Sequence, residues 1–93
     1  MKAVWNGAVL AESEETKVVE GHHYFPPESV DERHLKRSAM RSLCFWKGIA
    51  SYYNVQVDGE ENRYAAWTYR HPLPWIRSIR GHVAFWNGVE VRP

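Results

Sequence analysis

The stretch from Cys44 to Tyr53, CFWKGIASYY, contains the residues of this sequence that are best suited to chemistry. Cys44 is the sole cysteine and Lys47 follows it three residues later. A nearby cation lowers the pKa of a thiol and makes it a better nucleophile. If residues 44–47 are extended, however, the thiol and the amine lie on opposite faces, and Cys44 shares its face with Trp46. A buried, unreactive thiol is the competing interpretation.

Lys47 is a second candidate, because it directly precedes Gly48. Glycine lets the backbone turn sharply or a ligand approach closely. A lysine at such a place can bind a phosphate or carboxylate as a point charge. An ordinary solvated lysine is the alternative that the spacing leaves open.

Other catalytic and metal-binding patterns are weak in this sequence. None of the five histidines forms an i, i+4 pair on a predicted helix, and one cysteine does not support a structural zinc site. Asp58 and Glu60 come nearest to a carboxylate pair, but they fall in a predicted turn. No glycine-rich phosphate loop is present. We therefore expect no metal and no cofactor, and the sequence leaves open whether the chain is an enzyme.

Two predicted strands position the central side chains. Residues 49–57, IASYYNVQV, favour a long strand because β-branched and aromatic residues dominate the stretch. Asp58–Gly59 marks a turn, and residues 63–70, RYAAWTYR, form the returning strand. We expect a five-residue loop over 58–62, because a two-residue loop would set the valines against polar partners.

This register places Tyr53 opposite Trp67 and Ser51 opposite Tyr69. One face of the hairpin then carries apolar and aromatic side chains, namely Ser51, Tyr53, Val55, Ala65, Trp67 and Tyr69. Its aromatic end carries several hydroxyls, which is typical of a small-molecule pocket. An ordinary aromatic core, whose tyrosines bond to the backbone, is the alternative.

Turn signals elsewhere indicate a mainly β fold. Asn6–Gly7 and Asn87–Gly88 each follow a tryptophan and predict two similar hairpins, one at each end of the chain. Residues 17–21 predict a short strand. Pro27 is suited to open a short helix, and a second short helix is predicted to end before Gly81.

Length and composition predict one domain over residues 1–93. A single cysteine forms no internal disulfide, and neither a signal peptide nor a membrane-length apolar run is apparent, so a cytoplasmic location is expected. Residues 33–57 hold five basic side chains and no acid. The segment 33–47 could therefore serve a nucleic-acid or protein adaptor. In a near-neutral domain we do not expect a nucleic-acid partner, since acidic residues of the first third can offset this charge.

Four blocks of the sequence resemble one small, mainly bacterial family in order and spacing. The blocks are YFPPESV (24–30), CFWKGIASYYNV (44–55), AAWTY (65–69) and RGHVAFW (80–86). That family is catalogued as a domain of unknown function, number 427, and some lists call it nucleotidyltransferase-like. Phe45 stands where the family usually has proline, and His82 where tyrosine is frequent. The resemblance implies a single compact antiparallel β domain with short helical turns, similar to the β-tent or Mss4-like group without its zinc cysteines.

The leading hypothesis combines the shared face with the family blocks. It is a domain that binds a small ligand, with Lys47 holding an anionic group and aromatic rings covering an apolar or planar part. The expected ligand-binding residues are Tyr24, Cys44, Trp46, Lys47, Ser51, Tyr53, Trp67 and Tyr69. The alternatives are a thiol-dependent, lysine-dependent or transferase-like enzyme, and the adaptor. No membrane partner is expected, and the oligomeric state is left open.

Overall fold

A computed structural model describes residues 1–93, and antiparallel β-strands joined by short turns make up most of the chain. The strands are β1 (Lys2–Trp5), β2 (Ala8–Glu12), β3 (Lys17–Val19), β4 (His22–Tyr24), β5 (Leu35–Cys44), β6 (Gly48–Val57), β7 (Glu60–Tyr69), β8 (Val83–Phe85) and β9 (Glu90–Arg92). Three short 3₁₀ helices cover Pro27–Ser29, Glu32–His34 and Pro74–Ile79. The predicted mainly β class with short helical turns is confirmed. No helix is long and apolar enough to span a membrane.

The strands form three sheets, with the orders β2-β1-β9, β3-β4 and β5-β6-β7-β8. The hairpin at Asn6–Gly7 is confirmed, because β1 and β2 pair across it and both turn residues have positive φ. The predicted second hairpin at the C-terminus is wrong. Strand β8 pairs with β7, whereas β9 pairs with β1, so the two ends of the chain meet in one sheet.

Contacts of the Asn87–Gly88 turn explain why the C-terminal strands separate. Both turn residues have the predicted positive φ. The turn is held by β7, however, because Asn62 donates a side-chain hydrogen bond of 2.7 Å to the carbonyl of Asn87. The indole of Trp86 likewise donates to the carbonyl of Tyr64. The turn therefore redirects the chain from one sheet to the other instead of closing a hairpin.

The central hairpin closes with two residues, not with the five-residue loop that we expected. Asp58 (φ 51°) and Gly59 (φ 79°) form the turn, and Val57 pairs with Glu60. A two-residue loop of this kind needs positive φ at both positions, which Asp-Gly supplies. The register then shifts between Tyr53 and Val55. The turn chemistry therefore prevailed over the poorer pairing of the valines.

A β-bulge in β7 causes the register shift. Tyr64 adopts a positive φ of 60°, and its amide donates to Oδ1 of Asn54 at 3.0 Å. Beyond the bulge, Tyr53 pairs with Ala66 and Tyr52 pairs with Trp67. The bulge moves the register by two residues and so leaves the faces unchanged, because directly opposed residues share a face of the sheet and only an odd shift exchanges the faces.

The predicted shared face is wrong because the turn has two residues instead of five, and this odd difference exchanges the faces. Trp67 and Tyr69 lie on the face of Ala50 and Tyr52, because the register pairs Ala50 with Tyr69. We call this the aromatic face. The opposite face, which we call the core face, carries the predicted partners Ser51, Tyr53, Val55 and also Ala66.

Each face of the four-stranded sheet has its own apolar cluster. The core face packs against β1 and β2, with Leu10, Phe25, Val55 and Phe85 among the buried residues. The aromatic face packs against Tyr24 and Ile79, the latter from the last 3₁₀ helix. Tyr24, the last residue of β4, belongs to the cluster on the aromatic face. Phe25, the next residue, belongs to the cluster on the core face. The sheet is therefore covered on both sides, and pockets form where the cover ends.

Candidate ligand-binding site

The connection between β5 and β6 is a tight turn that presents Lys47. Cys44 pairs with Gly48, so residues 45–47 form the turn and are not extended as we had supposed. The amide of Leu73 donates to the carbonyl of Lys47 at 2.9 Å, and the indole of Trp75 donates to the carbonyl of Trp46 at 2.6 Å. The segment that follows β7 therefore fixes the backbone on which Lys47 stands.

Lys47 is buried, with 8% of its surface exposed. Its ammonium group contacts a carboxylate oxygen of Glu20 and lies 5.4 Å and 5.5 Å from the ring centroids of Trp46 and Tyr69. Glu20 occupies the turn between β3 and β4 with a φ of 52°. Two turns that are distant in sequence thus meet at one buried ion pair.

The ion pair is charged at neutral pH. Burial has the largest influence on the pKa of Lys47 and lowers it, but the hydrogen bond to Glu20 and the electrostatic effects of Tyr24, Tyr69 and Glu20 outweigh burial. The resulting pKa of Lys47 is raised above its ordinary value of 10.5. The hydrogen bond from Lys47 is the main cause that lowers the pKa of Glu20 below 4.5. Since a protonated amine has no lone pair to donate, Lys47 is an electrostatic anchor and not a nucleophile in this state.

A pocket of about 360 Å³ opens beside the ion pair on the aromatic face. Its lining residues are Glu20, His22, Lys47, Tyr52, Trp67, Tyr69 and Trp86. We call it the aromatic pocket. Its centre is Trp67, whose ring lies 5.0 Å from His22, 6.4 Å from Tyr52 and 6.2 Å from Trp86 between centroids. Charge at one end and ring surfaces along the walls suit a ligand with one polar and one planar part.

Tyr24 supports this pocket from beneath. It is fully buried, and its hydroxyl accepts a hydrogen bond of 3.2 Å from the indole nitrogen of Trp67. Its ring lies 6.4 Å from that of Tyr69. Tyr24 therefore fixes the orientation of the central tryptophan without lining the pocket itself.

We expect the change Tyr24→Phe to lower the free energy of unfolding by about 1–3 kcal/mol, because it leaves the buried indole N–H of Trp67 without an acceptor. The change Tyr52→Phe is the matched control. The hydroxyl of Tyr52 bonds to the exposed Ser42, and water can replace this bond, so a change within about 0.5 kcal/mol is expected. Urea denaturation of both variants measures the difference, and equal losses would contradict the supporting role of Tyr24.

The structure separates the eight expected ligand-binding residues. Five gather at the aromatic pocket. Lys47, Trp67 and Tyr69 line it, Trp46 flanks Lys47, and Tyr24 lies beneath. The other three lie apart from it. Cys44 and Ser51 line a second cavity, and Tyr53 lines a third, smaller one beside Arg37.

Sequence reasoning missed four lining residues of the aromatic pocket: Glu20, His22, Tyr52 and Trp86. Tyr52 was assigned to the opposite face because a five-residue loop was expected where the turn has two residues. The Glu20–Gly21 pair, which precedes two histidines, carried a turn signal that could have placed Glu20 at a hairpin tip. No local signal connects that tip to Lys47, which is 27 residues away.

A comparison with family models gives the chain its relatives. One model, described as a domain of unknown function (DUF427) and named NTP_transf_9, matches residues 1–92. The chain belongs to the DUF427 family. This confirms the resemblance seen in the four sequence blocks. A search of curated proteins finds no match to this DUF427 chain.

The short name of the DUF427 model refers to nucleotidyl transfer, and the side chains can be compared with that chemistry. Such transfer commonly uses carboxylates that hold divalent metal ions against phosphates. In this DUF427 chain, no three or more His, Cys, Asp or Glu side chains lie close enough together to hold a metal ion. The aromatic pocket has a single carboxylate, Glu20, and that one is paired with Lys47. The residues therefore do not fit a metal-dependent nucleotidyl transfer at this pocket.

Proposed function

We propose that this domain binds a small organic ligand in the aromatic pocket. Lys47 holds an anionic group of the ligand, and the rings of Trp67, Tyr52 and Trp86 cover its planar or apolar part. The buried ammonium of Lys47 at the edge of this pocket carries the proposal. The single free cysteine is consistent with a cytoplasmic location for the protein, where the ligand would also be found.

The partner of Lys47 supports the exchange that binding would require. The side chain of Glu20 is 54% exposed, whereas that of Lys47 is only 10% exposed. The carboxylate can therefore leave the ammonium at a low solvation cost, while the ammonium stays in the pocket. A carboxylate or phosphate of the ligand would take its place and keep the buried charge neutralised. The volume of about 360 Å³ falls within the usual range for small-molecule sites.

Enzymatic alternatives receive less support from the same residues. The raised pKa of Lys47 disfavours a lysine nucleophile. Cys44 lines a different cavity from Lys47, so the ammonium does not activate the thiol within one shared site. Ligand binding without chemistry is the proposal that needs the fewest further groups.

The adaptor alternative also loses part of its basis. Of the five basic side chains in segment 33–47, Arg33 pairs with Asp31 and Lys47 is buried against Glu20. The exposed charges Lys36, Arg37 and Arg41 lie along the edge strand β5. Three charges along one strand are a small footprint for nucleic acid.

Native mass spectrometry of freshly purified protein tests the proposal. We expect a co-purified small molecule on the wild type, released on denaturation, and absent from the Lys47→Met variant. The matched control is Lys36→Met, which removes an exposed lysine of β5 and should retain the adduct. Methionine keeps the length and apolar stem of lysine, so the pocket stays filled.

Fluorescence titration gives a second measurement. Small aromatic carboxylates and phosphates should quench the emission of Trp67 and Trp86 in the wild type and in Lys36→Met. Lys47→Met should weaken their binding by about tenfold or more, as expected for the loss of a charged hydrogen bond. The proposal is wrong if no adduct appears and if the titration curves of wild type and Lys47→Met coincide.

A further inference from the structure

A second cavity lies on the other side of the same sheet, beyond the end of the core face. Its volume is about 640 Å³, the largest in the protein. The register of β5 and β6 pairs Arg41 with Ser51 and Leu43 with Ile49, and these side chains line it. Arg70 follows the end of β7 and completes the wall. We call it the arginine cavity.

The charges of the arginine cavity are all of one sign. Arg41, Arg70 and His71 line it, and no aspartate or glutamate does. Neither arginine belongs to any of the ion pairs of the protein, whereas Arg33, Arg63 and Arg92 each pair with a neighbouring carboxylate. Two unpaired guanidinium groups at one cavity repel each other, and a bound anion would offset that repulsion.

Arg70 is held in place before any ligand arrives. Its guanidinium carbon lies 5.7 Å from the ring centroid of Tyr53, and Nη2 donates to the tyrosine hydroxyl at 3.2 Å. Its Nε is buried and has no hydrogen-bond partner. A guanidinium that is fixed by stacking loses little further freedom on binding a carboxylate or phosphate. Ser51, only 6% exposed, adds a hydroxyl to the lining.

The mouth of the cavity is apolar. Leu43 is 65% exposed, Ile49 58% and Phe45 91%, and all three line the cavity. Large apolar side chains with such exposure, gathered in one place, commonly mark a binding surface. Cationic groups beside exposed apolar side chains together complement a molecule with an anionic head and an apolar body.

We propose that the arginine cavity binds a small amphiphilic anion, a carboxylate or phosphate monoester whose apolar body lies against Leu43, Phe45 and Ile49. The volume of the cavity is within the usual range for small-molecule sites, so a free small molecule and not a membrane surface is the proposed occupant. This site is separate from the aromatic pocket, and neither proposal depends on the other.

Titration with phenyl phosphate, followed by amide NMR shifts, tests the proposal directly. Whatever shifts the aromatic pocket shows, shifts should also appear at Ser51, Arg70 and His71, and the Kd measured at these three amides should rise with salt. Inorganic phosphate, which lacks the apolar body, should bind about tenfold or more weakly, and so should benzyl alcohol, which lacks the charge. Shifts confined to Lys47 and Trp67 would overturn the proposal.

Substitutions of exposed arginines test the contribution of charge to binding without disturbing the fold. Arg41→Gln is the main variant, because Arg41 is exposed and its side chain bonds only to two backbone carbonyls of its own strand. It should weaken the binding of phenyl phosphate measured at Ser51, Arg70 and His71 by about tenfold, as for one lost charged contact. Arg77→Gln, an exposed arginine outside the cavity, is the control and should bind as the wild type does. Equal affinity of the two variants would refute the site.

Cys44 offers an independent readout because it lines the same cavity. Iodoacetate is an anion and iodoacetamide is neutral. Both alkylate the same thiolate, so the fraction of Cys44 that is deprotonated cancels in the ratio of their rates. At low salt, the iodoacetate to iodoacetamide ratio should exceed that of free cysteine severalfold, and Arg41→Gln should reduce it. A ratio equal to that of free cysteine would contradict an anion-attracting cavity.

A vesicle assay distinguishes the source of the anion. Vesicles of phosphatidylglycerol and phosphatidylcholine should not retain the wild-type protein at 0.15 M salt, an ionic strength that screens exposed charges beyond roughly 8 Å. Retention that Arg41→Gln abolishes would show that a lipid surface is the occupant and would overturn the proposal of a free small molecule.

Discussion

Glu20→Gln is expected to lower the melting temperature by several degrees at pH 7, whereas Lys47→Met leaves it unchanged or raises it. The two partners of one ion pair differ in this way because only one is buried. The ammonium of Lys47 loses its single carboxylate in Glu20→Gln and has little access to water. The carboxylate of Glu20 is more than half exposed and is solvated by water once Lys47 is gone.

The double variant decides whether this reasoning is correct. Glu20→Gln combined with Lys47→Met removes the stranded charge and should return the melting temperature to near that of wild type. Glu90→Gln is the matched control, because the pair of Glu90 and Arg92 is exposed on both sides, and its loss should change little. Equal losses in Glu20→Gln and Glu90→Gln would contradict the burial argument.

Acid should reduce the difference between wild type and Glu20→Gln. The pKa of Glu20 is lowered in the folded state, so its contribution is present above its ordinary value of 4.5 and is lost as the pH falls through the lowered pKa. The stabilisation linked to the raised pKa of Lys47 is fully present below pH 10.5. It is lost only as the pH rises beyond that value. The difference should therefore be constant between roughly pH 5 and 10. Urea denaturation at pH 7 and pH 3 measures it. Asp31, with a pKa of about 2, titrates in both proteins and cancels.

Local turn chemistry could be read from the sequence, but the partners of the strands could not. Asn6–Gly7, Asp58–Gly59 and Asn87–Gly88 all adopt the positive φ values that their residue types favour. At Asn87–Gly88 the flanking strands nevertheless join different sheets, because side chains of β7 hold the turn. Turn residues fix backbone angles over two positions, and distant contacts decide where the chain goes next.

The candidate site shows the same limit. Strands β6 and β7 were foreseen from their composition, but the two-residue turn at Asp58–Gly59 places Trp67 and Tyr69 on the face of Tyr52. The exact pairing beyond the turn also depends on the bulge at Tyr64, which needs one backbone angle and one hydrogen bond from the Tyr64 amide to Asn54, and no periodicity reveals either. The partnership of Lys47 with Glu20 joins two turns, and only the tertiary structure brings them together.

Gly48→Ala is expected to lower the free energy of unfolding by about 3 kcal/mol, near the upper end for a strained backbone position. Gly48 has a φ of +118°, which side-chain-bearing residues rarely adopt. A Cβ there would lie 3.4 Å from the carbonyl oxygen of His71 and 3.6 Å from Cα of Pro72. Both are ordinary van der Waals distances, so the expected cost comes from the backbone angle, and relieving that angle would shift the turn that presents Lys47.

Gly59→Ala is the control that separates the unusual φ of Gly48 from an ordinary left-handed conformation. Gly59 has a φ of +79°, and nothing lies within 4 Å of the place where its Cβ would stand. Its cost should be about 1 kcal/mol, that of placing alanine in a left-handed conformation. Gly48 also lines the arginine cavity and adjoins Lys47, so Gly48→Ala should weaken ligands at both sites, whereas Gly59→Ala should weaken neither. Similar unfolding free energies for the two variants would show that the φ of Gly48 costs alanine no more than an ordinary left-handed conformation does.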